Sequence, residues 1–316
     1  MSKSPVKLSP AYKDYLWGGE KLKTRFGKNT DLAPLAESWE LSVHKDGESV
    51  ICGGEYDGYT LSQYIEALGD VALGEKCKRF ERFPMLIKFI DAKSDLSVQV
   101  HPSDEYALVH EGEYGKTEMW YILDCDDGAC LYYGFSNDVT RDEYENAIKS
   151  NTLTDMLNRV PVKRGDVFFI PAGTVHAIGA GIVICEIQQN SNTTYRVYDW
   201  GRVGKDGRPR QLHIEKALDV SDLHQAPERE VIGDESNVLL ASCEYFTVRR
   251  LKIDKKEFFN CDGESFLSII AVDGEGSIEL NGSTLDFVCG DSIFIPSQIG
   301  EMKISGSCEL ILSYIE

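Results

Sequence analysis

The chain has 316 residues, which is enough for about two domains that each bury a core of their own. Hydrophobic residues make up 42% and charged residues 27%, as in ordinary globular proteins, so the composition excludes a disordered or fibrous chain. With 33 basic and 52 acidic residues the net charge is −19, which excludes a binder of nucleic acid or anionic membranes. An anionic ligand would have to be held by a few well-placed cations.

The compartment follows from what the sequence lacks. The first 19 residues contain no continuous apolar stretch of the signal-peptide kind, and no window reaches the roughly 18 apolar residues of a membrane span. The nine cysteines stand singly, without a Cys-x-x-Cys pair. We therefore expect a cytoplasmic protein with free thiols and no membrane or nucleic-acid partner, present as a monomer or a weak homo-oligomer.

Short runs rich in β-branched and aromatic residues, bounded by Gly, Asp and Asn, predict a mostly antiparallel sheet protein. A few short helices interrupt the strands, and two of them begin with a capping box, in which Thr is followed three residues later by Gln or Glu. An Asn-Gly pair between two strand-like runs predicts a type I′ hairpin. In chain order the predicted elements are a strand at 38–43, helices after Thr60 and Thr140, strands at 166–170 and 182–187, a helix from near Ile214, a strand at 266–272 and the hairpin at Asn281.

One segment of the chain is repeated. Gly-Asp-Val-Phe-Phe-Ile-Pro at 165–171 recurs as Gly-Asp-Ser-Ile-Phe-Ile-Pro at 290–296, 125 residues later. Each copy follows a turn-bounded strand run and precedes another strand. Two copies of one β-barrel unit explain the repeat most simply.

The repeated unit resembles the cupin, a small jelly-roll barrel whose second motif reads Gly, five residues, Pro-x-Gly-x-x-His. The first copy matches this motif through Gly173 and His176, whereas the second has Gln298 and Glu301 at those positions. Only the first barrel can therefore hold a metal in the cupin manner.

The fold class implied by this resemblance is mainly β, with two cupin-type jelly-roll barrels and a few short helices. We expect residues 1–229 to form the catalytic, metal-binding barrel with short helical insertions. Residues 230–316 would form a second, smaller barrel that lacks metal ligands and covers or stabilises the first.

The earlier cupin motif corresponds to the segment around Gln99 and His101. These two residues are separated by one position, so on a strand their side chains share a face. Together with Glu118 and His176 they supply two imidazole nitrogens and two oxygens, a set that suits zinc and tolerates manganese, iron or cobalt. A catalytic metal of this kind also needs an open position for substrate.

The ordered motifs closely resemble those of type I mannose-6-phosphate isomerases, a zinc-dependent cupin family. They are Ser-x-Gln-x-His-Pro at 97–102, Lys-x-Glu-x-Trp at 116–120 and Gly-Thr-x-His-Ala-Ile at 173–178, followed by Glu186 ten positions before Arg196. The resemblance covers roughly the first 220 residues and is to the compact bacterial form. It implies one Zn²⁺ per chain held by Gln99, His101, Glu118 and His176, and interconversion of mannose 6-phosphate and fructose 6-phosphate through an enediol.

The same resemblance implies roles for further residues. Lys116, Glu186 and Arg196 would supply acid/base chemistry and charge stabilisation, and which of them moves the proton stays open. Glu186 could instead merely pair with Arg196. Three other residues would contact the phosphate, although the last of them could equally begin a solvated basic loop: Lys88, Ser97 and Arg202.

Two alternatives to the isomerase remain. An iron or manganese cupin oxygenase would use the same mixed ligand set, but it would leave Lys116, Arg196 and the phosphate candidates without a purpose. A sugar-phosphate sensor would keep the barrel without turnover, and the presence of Glu186 argues against it.

Overall fold

The computed structural model describes residues 3–204, 207–229 and 231–316. Five α-helices are present in these ranges: α1 (Lys21–Phe26), α2 (Leu61–Leu68), α3 (Asp104–His110), α4 (Arg141–Ser150) and α5 (Ile214–Val220). The strands as far as residue 135 are β1 (Val6–Ser9), β2 (Ala11–Lys13), β3 (Glu37–Leu41), β4 (Val43–His44), β5 (Gly47–Glu48), β6 (Val50–Cys52), β7 (Met85–Ala92), β8 (Val98–Val100), β9 (Glu118–Cys125) and β10 (Cys130–Phe135).

The remaining strands are β11 (Leu157–Pro161), β12 (Val167–Ile170), β13 (His176–Ile178), β14 (Ile182–Gln189), β15 (Tyr195–Tyr198), β16 (Asn237–Ser242), β17 (Thr247–Ile253), β18 (Lys256–Cys261), β19 (Leu267–Leu280), β20 (Ser283–Val288), β21 (Ser292–Ile295) and β22 (Gly300–Tyr314). Short 3₁₀ turns lie at Gly69–Val71, Glu75–Arg79 and Leu153–Met156. No helix of the described ranges has the length and apolar character needed to cross a membrane.

The local signals of the sequence are confirmed. Both capping boxes are formed, with the side chains of Thr60 and Thr140 accepting from the backbone N–H three residues later. β19 and β20 form the hairpin, and Asn281 and Gly282 take φ values of 50° and 81°, as a type I′ turn requires. All nine cysteines are free.

The strand predicted at 38–43 is interrupted. β3 ends at Leu41, and the chain resumes as the short strand β4. At the break the backbone N–H of Ser42 donates to Oγ of Ser49, and Oγ of Ser42 donates to the carbonyl of Gly47. Side-chain hydrogen bonds to the backbone compete here with the strand ladder and end it.

The first unit consists of two facing antiparallel sheets. One has the strand order β12-β9-β14-β7-β3-β2, and the other β11-β10-β13-β8-β15. Trp120 and Ile184 of the first sheet share an apolar cluster with Leu131 and Ile178 of the second. The two sheets therefore enclose a common interior, which confirms the predicted jelly-roll architecture, although the sheets stay open rather than closing into one barrel.

The second unit is built on a nine-stranded antiparallel sheet. Its path is β16-β17-β22-β19-β21-β1-β6, with β18 added to β22 and β20 added to β19. Both halves of the long strands β19 and β22 contribute to one apolar cluster, so the sheet curls around it; examples are Ile269, Ile278, Ile304 and Leu312. β1 and β6 belong to this sheet, so two N-terminal strands cross the proposed boundary at 229/230, and that boundary stays a proposal.

A third apolar layer joins the two units. β7, β9 and β14 are buried on both faces, and every second residue, such as Phe89, Met119 and Cys185, points away from the first interior. These side chains share a cluster with Phe294 and Ile311 of the nine-stranded sheet. The second unit thus packs against the outer face of the strands that carry Lys88, Glu118 and Glu186.

Candidate active site

The four proposed metal ligands lie between the two sheets of the first unit. Gln99 is on β8, His101 follows that strand, Glu118 begins β9 and His176 begins β13. His176 is the register partner of Gln99. The ligating atoms of His101, Glu118 and His176 lie within 4.8 Å of one another, and all three residues are buried. Within the described residues, these three could hold a metal ion.

Both histidines present Nε2 to this group. Nδ1 of His101 lies 2.9 Å from the carbonyl oxygen of Thr193, and Nδ1 of His176 lies 2.8 Å from that of Thr174. Because a carbonyl only accepts, each Nδ1 carries the proton and each Nε2 keeps a lone pair. Burial and then the Lys116 ammonium lower the pKa of His176 to about 4 and that of His101 well below its ordinary value. Both rings are therefore neutral, as metal ligation requires.

The spacing of the donor atoms suits a small divalent cation. Nε2 of His176 lies 3.3 Å from Oε1 of Glu118, and Nε2 of His101 lies 3.7 Å from Oε2. Ligands bound at about 2.1 Å to a tetrahedral zinc would stand about 3.4 Å apart. The side-chain amide of Gln99 lies 3.4 Å from Nε2 of His176, and a 180° flip of the amide would turn its oxygen to that position.

Glu118 supports the same interpretation. Its side chain is fully buried, and its Oε1 has no hydrogen-bond partner, which is costly for a carboxylate. Burial and the nearby Glu186 carboxylate raise the pKa of Glu118, while Lys116 opposes that shift. A cation bound between Glu118 and the two imidazoles would satisfy the orphaned oxygen. The donor set therefore fits the metal that the motifs imply.

A row of alternating charges extends from Glu118 along the cavity. Nζ of Lys116 contacts Oε2 of Glu118 and lies 3.7 Å from Oε1 of Glu186. Nζ of Lys88 lies 3.6 Å from the same oxygen of Glu186 and 3.7 Å from Oε2 of Glu37. All five side chains are at most 10% exposed. Such charges are stable in the interior because each has an opposite neighbour.

Glu186 is held in this row by one of its two oxygens. Its Oε2 accepts a 3.0 Å hydrogen bond from the indole N–H of Trp120, whereas its Oε1 has no hydrogen-bond partner. Burial alone would raise the pKa of Glu186, but Lys116 and Lys88 hold it below its ordinary value. Glu186 is thus an ionised carboxylate with one oxygen available, on the cavity that Lys88 and Lys116 also line.

The cavity beside the row has a volume of about 290 Å³. Gln99 and Lys116 lie on its wall towards the metal-ligand group, and Ser97 and Arg196 line it as well. Nε of Arg196 donates to Oγ of Ser97 at 3.3 Å, and Arg196 is the register partner of Gln99. Arg196 therefore does not pair with Glu186, whose charge partners are the two lysines.

The structure places Arg202 away from this cavity. Its guanidinium donates to the Asp199 carboxylate and to the backbone carbonyl of Asp95, and it does not line the cavity. Because its guanidinium is held by these two partners, Arg202 is not part of a freely solvated loop. Arg210 lines the cavity instead, and it is also bonded to Asp199.

Sequence reasoning missed two residues of the site, Glu37 and Arg210. Glu37 lies two positions before Trp39, and the indole N–H of Trp39 donates to it at 2.7 Å. Because side chains on a strand alternate between its two faces, the spacing on β3 could have predicted that the two residues share a face. Arg210 lies in a segment with several basic residues, and nothing in the sequence of that segment indicates which of them lines the cavity.

Comparisons with known proteins agree with this geometry. A model of the type I phosphomannose isomerase catalytic domain matches residues 6–124, and a model of the mannose-6-phosphate isomerase cupin domain matches residues 236–315. The chain is 40% identical over 321 residues to mannose-6-phosphate isomerase ManA of Bacillus subtilis, with complete coverage of both proteins. It is 36% identical to mannose-6-phosphate isomerase of Streptococcus mutans, with 98% of each covered.

The fold agrees as well. The crystal structure of the mannose 6-phosphate isomerase from Bacillus subtilis matches with a TM-score of 0.90 and 36% identity, covering 99% of this chain and 100% of that one. Similarity at this level spans both units and not only the metal-binding motifs. The resemblance inferred from the ordered motifs is confirmed, and the chain belongs to the type I mannose-6-phosphate (phosphomannose) isomerase family.

Proposed function

We propose that this protein is a metal-dependent aldose–ketose isomerase that interconverts mannose 6-phosphate and fructose 6-phosphate. The observation that carries the proposal is the buried row of Glu186, Lys116 and Lys88, which lines a cavity next to the His101, Glu118 and His176 group. An oxygenase would need only the His101, Glu118 and His176 group and not the charged row. The two full-length relatives named mannose-6-phosphate isomerase support mannose 6-phosphate as a substrate.

Gln99, His101, Glu118 and His176 would hold the metal, which we propose to be one Zn²⁺ per chain. When bound, it would polarise the sugar carbonyl and orient the neighbouring hydroxyl without redox chemistry. Lys116 contacts Glu118 and also borders the cavity, so it joins the ligand group to the reacting end of the substrate.

Glu186 is our candidate for the group that moves the proton between C2 and C1. It is ionised, its Oε1 is free to accept, and Trp120 fixes the other oxygen. Isomerisation needs a base that removes a proton next to the carbonyl and returns it to the adjacent carbon. Lys116 and Lys88 flank Oε1 and would stabilise the enediolate oxygens that develop beside it.

Arg196 and Ser97 would contact the rest of the sugar phosphate. Arg196 stays cationic and lines the cavity next to Gln99, which suits contact with the sugar hydroxyls or with developing negative charge. Lys88, expected at the phosphate, lies between two carboxylates that would repel a dianion, so we assign it to the reacting end.

We also propose a cytoplasmic location and a monomeric or weakly associated state. Nine free cysteines, several of them partly exposed, are typical of a reducing compartment. Sedimentation of the purified protein would test the oligomeric state.

The test is one preparation that is stripped with chelator, reloaded with zinc and assayed for fructose 6-phosphate formed from mannose 6-phosphate. We expect activity to disappear, to return with about one zinc per chain, and to exchange solvent deuterium into the sugar at C1 or C2. Glu186→Gln should bind zinc normally but lose about 10²- to 10⁴-fold in kcat. Glu279→Gln, an exposed change on β19, is the matched control and should behave as the parent.

The other outcomes identify the competing functions. Oxygen consumption by the iron-loaded protein without isomerisation would favour an oxygenase. Tight sugar-phosphate binding without turnover after full metal loading would favour a sensor.

A further inference from the structure

Two arginines share one buried carboxylate in the segment after β15. Asp199 is 7% exposed and accepts hydrogen bonds from Arg210 through both oxygens, from Nε at 2.7 Å and from Nη2 at 2.5 Å. The same carboxylate accepts from Nε of Arg202 at 3.1 Å. A two-pronged pair of this kind fixes the plane of the Arg210 guanidinium.

Only one of these two arginines faces the cavity. Arg210 lines it together with Arg196, whereas Arg202 turns towards the backbone of Asp95. Arg210 uses Nε and Nη2 on Asp199, and Arg196 uses Nε on Ser97 and Nη1 on the carbonyl of Gln211. In the part of the chain that the structure describes, Nη1 of Arg210 and Nη2 of Arg196 have no hydrogen-bond acceptor.

The charges divide the cavity into two ends. At the buried end, Lys88 is flanked by Glu37 and Glu186, and its positive charge is already compensated. At the other end, Arg196 and Arg210 both line the cavity. Arg210 is paired with Asp199, whereas the Arg196 guanidinium donates to the neutral oxygens of Ser97 and Gln211.

The arginine end is also the more exposed one. The Arg210 side chain is 28% exposed, against 5% for Lys88 and 4% for Lys116. Burial and the repulsion from the nearby Arg210 guanidinium lower the pKa of Arg196, while the Asp199 carboxylate opposes that shift. A bound dianion would relieve this repulsion, and the deep end offers no such gain.

We propose that Arg210, held in position by Asp199, binds the substrate phosphate at the outer end of the cavity, next to Arg196 and Ser97. The phosphate would then accept hydrogen bonds from the two guanidinium nitrogens that lack acceptors, and the C1–C2 end of the sugar would point inward to Glu186. Arg202 acts only through Asp199. This inference rests on the proposed function, because it assigns an orientation to that substrate.

The kinetic test compares three variants of the zinc-loaded enzyme. Arg210→Ala should raise KM for mannose 6-phosphate by about 10- to 100-fold with kcat within about 3-fold of the parent, since a hydrogen-bonded charge is lost away from the reacting carbons. Arg210→Lys should show a smaller rise, because it keeps the charge but not the paired geometry. Asp199→Asn should also raise KM without lowering kcat, as expected for a residue that positions Arg210.

Binding of inorganic phosphate, followed by calorimetry, supplies a readout that does not depend on turnover. Its affinity should fall in Arg210→Ala by a factor similar to the rise in KM. Arg141→Ala removes a guanidinium that pairs with Asp219 outside the cavity, and it should change neither quantity. Zinc content and circular dichroism equal to the parent would establish that each variant is folded.

The results separate the two proposals. A parent enzyme that binds phosphate through Arg210 but does not isomerise would contradict the proposed function and not the phosphate assignment. An unchanged KM and phosphate affinity in both Arg210 variants would overturn the assignment. The assignment would also be overturned if the Arg210 variants lost only kcat, or if Arg202→Ala raised KM and weakened phosphate binding more than Arg210→Ala.

Discussion

The two copies of the repeated segment, 165–171 and 290–296, have nearly the same backbone. Asp166 and Asp291 each accept, through Oδ2, a 2.9 Å hydrogen bond from the N–H three residues earlier. The glycine before each aspartate has a positive φ, 87° for Gly165 and 95° for Gly290, and its N–H donates to the strand alongside, at 2.9 and 2.8 Å. The turn that begins β12 is therefore built again before β21.

The copies diverge after the strand that follows this turn. Gly173, with a φ of 91°, corresponds to Gln298, which keeps a positive φ of 57°. His176 is fully buried among the proposed metal ligands, whereas its counterpart Glu301 is exposed next to Met302, a residue of the apolar core of the second unit. The turn and the metal chemistry of this motif are therefore separable, because the turn needs only Gly-Asp, whereas the site needs ligands from several other strands.

Substitutions at the divergent residues should have the largest effects. His176→Ala should cost more than about 100-fold in activity and most of the zinc affinity, because loss even of groups that only support ligands costs about 10- to 100-fold. Glu301→Ala should change neither. Adding Gln298→Gly and Glu301→His should create no second zinc site, because in the described part of the second unit no three His, Cys, Asp or Glu side chains come together as a ligand group. Metal analysis and isomerase assays check all three, and a second bound zinc in the double variant would contradict this account.

The contact between the two units provides the next test. Nζ of Lys28 donates to the buried carboxylate of Glu40 on β3 at 2.7 Å and to the carbonyl of Gly290 in the second copy at 2.6 Å. Lys28→Met leaves the buried Glu40 with a hydrogen bond from Ser38 but without its charge partner, so it should lower the free energy of unfolding by about 3–5 kcal/mol. Lys303→Met breaks the exposed pair with Glu279 and should cost at most about 1 kcal/mol. Urea unfolding measures the free energy of unfolding of both variants. Equal decreases would show that the Lys28–Glu40 pair does not stabilise the contact between the two units.

The turn glycines of the two copies, Gly165 and Gly290, differ in how closely neighbouring atoms pack against them. Alanine at either position would take a left-handed conformation, which costs roughly 1–2 kcal/mol. At Gly165 a Cβ would meet nothing nearer than Oη of Tyr121 at 3.8 Å, whereas at Gly290 it would lie 2.1 Å from the carbonyl oxygen of Phe26. Gly290→Ala should therefore destabilise the protein more than Gly165→Ala by at least about 1 kcal/mol. Thermal unfolding of the two variants at one pH measures this difference. A lower stability of Gly165→Ala than of Gly290→Ala would contradict the prediction.

The smallest effect is the pH dependence of the Asp166 ion pairs. Burial would raise the pKa of Asp166, but Lys163 and Arg229, at 2.7 and 2.8 Å, hold it below its ordinary value. A depressed carboxylate pKa stabilises the fold above the unfolded-state pKa of about 3.9, and this contribution disappears as the pH falls through the lower folded value. Asp166→Asn should thus cost about 1 kcal/mol between pH 5 and 8 and progressively less below about pH 4. A cost that grew on acidification would contradict the sign of the shift.

Most of the local structure could be predicted because its causes lie within a few residues. The capping boxes at Thr60 and Thr140 and the turn at Asn281 are satisfied by hydrogen bonds and φ values of neighbouring positions. The break at Ser42 was missed because its partners, Ser49 and Gly47, return through a hairpin that the run 38–43 does not reveal.

In the candidate site, too, short-range features could be predicted from the sequence and long-range ones could not. Gln99 and His101, or Lys116 and Glu118, share a face because side chains on a strand alternate, so motif spacing alone predicted their grouping. The charge partners of Lys88 and the choice between Arg202 and Arg210 could not be predicted, because both depend on where segments distant in the chain meet. Asp199 accepts hydrogen bonds from both arginines, but of the two only Arg210 lines the cavity.

The family, the β-rich architecture and the proposed metal ligands could be predicted from the chain alone, since each rests on short motifs whose spacing is a property of strands and turns. Three features emerge only from the folded chain: β1 and β6 join the sheet of the second unit, Glu37 completes the charged row, and Arg210 lines the cavity. The two groups of features differ in the distance along the chain over which their causes act. Alternation and capping act over a few residues, whereas the pairing of buried charges depends on which strands and loops the packed cores bring together.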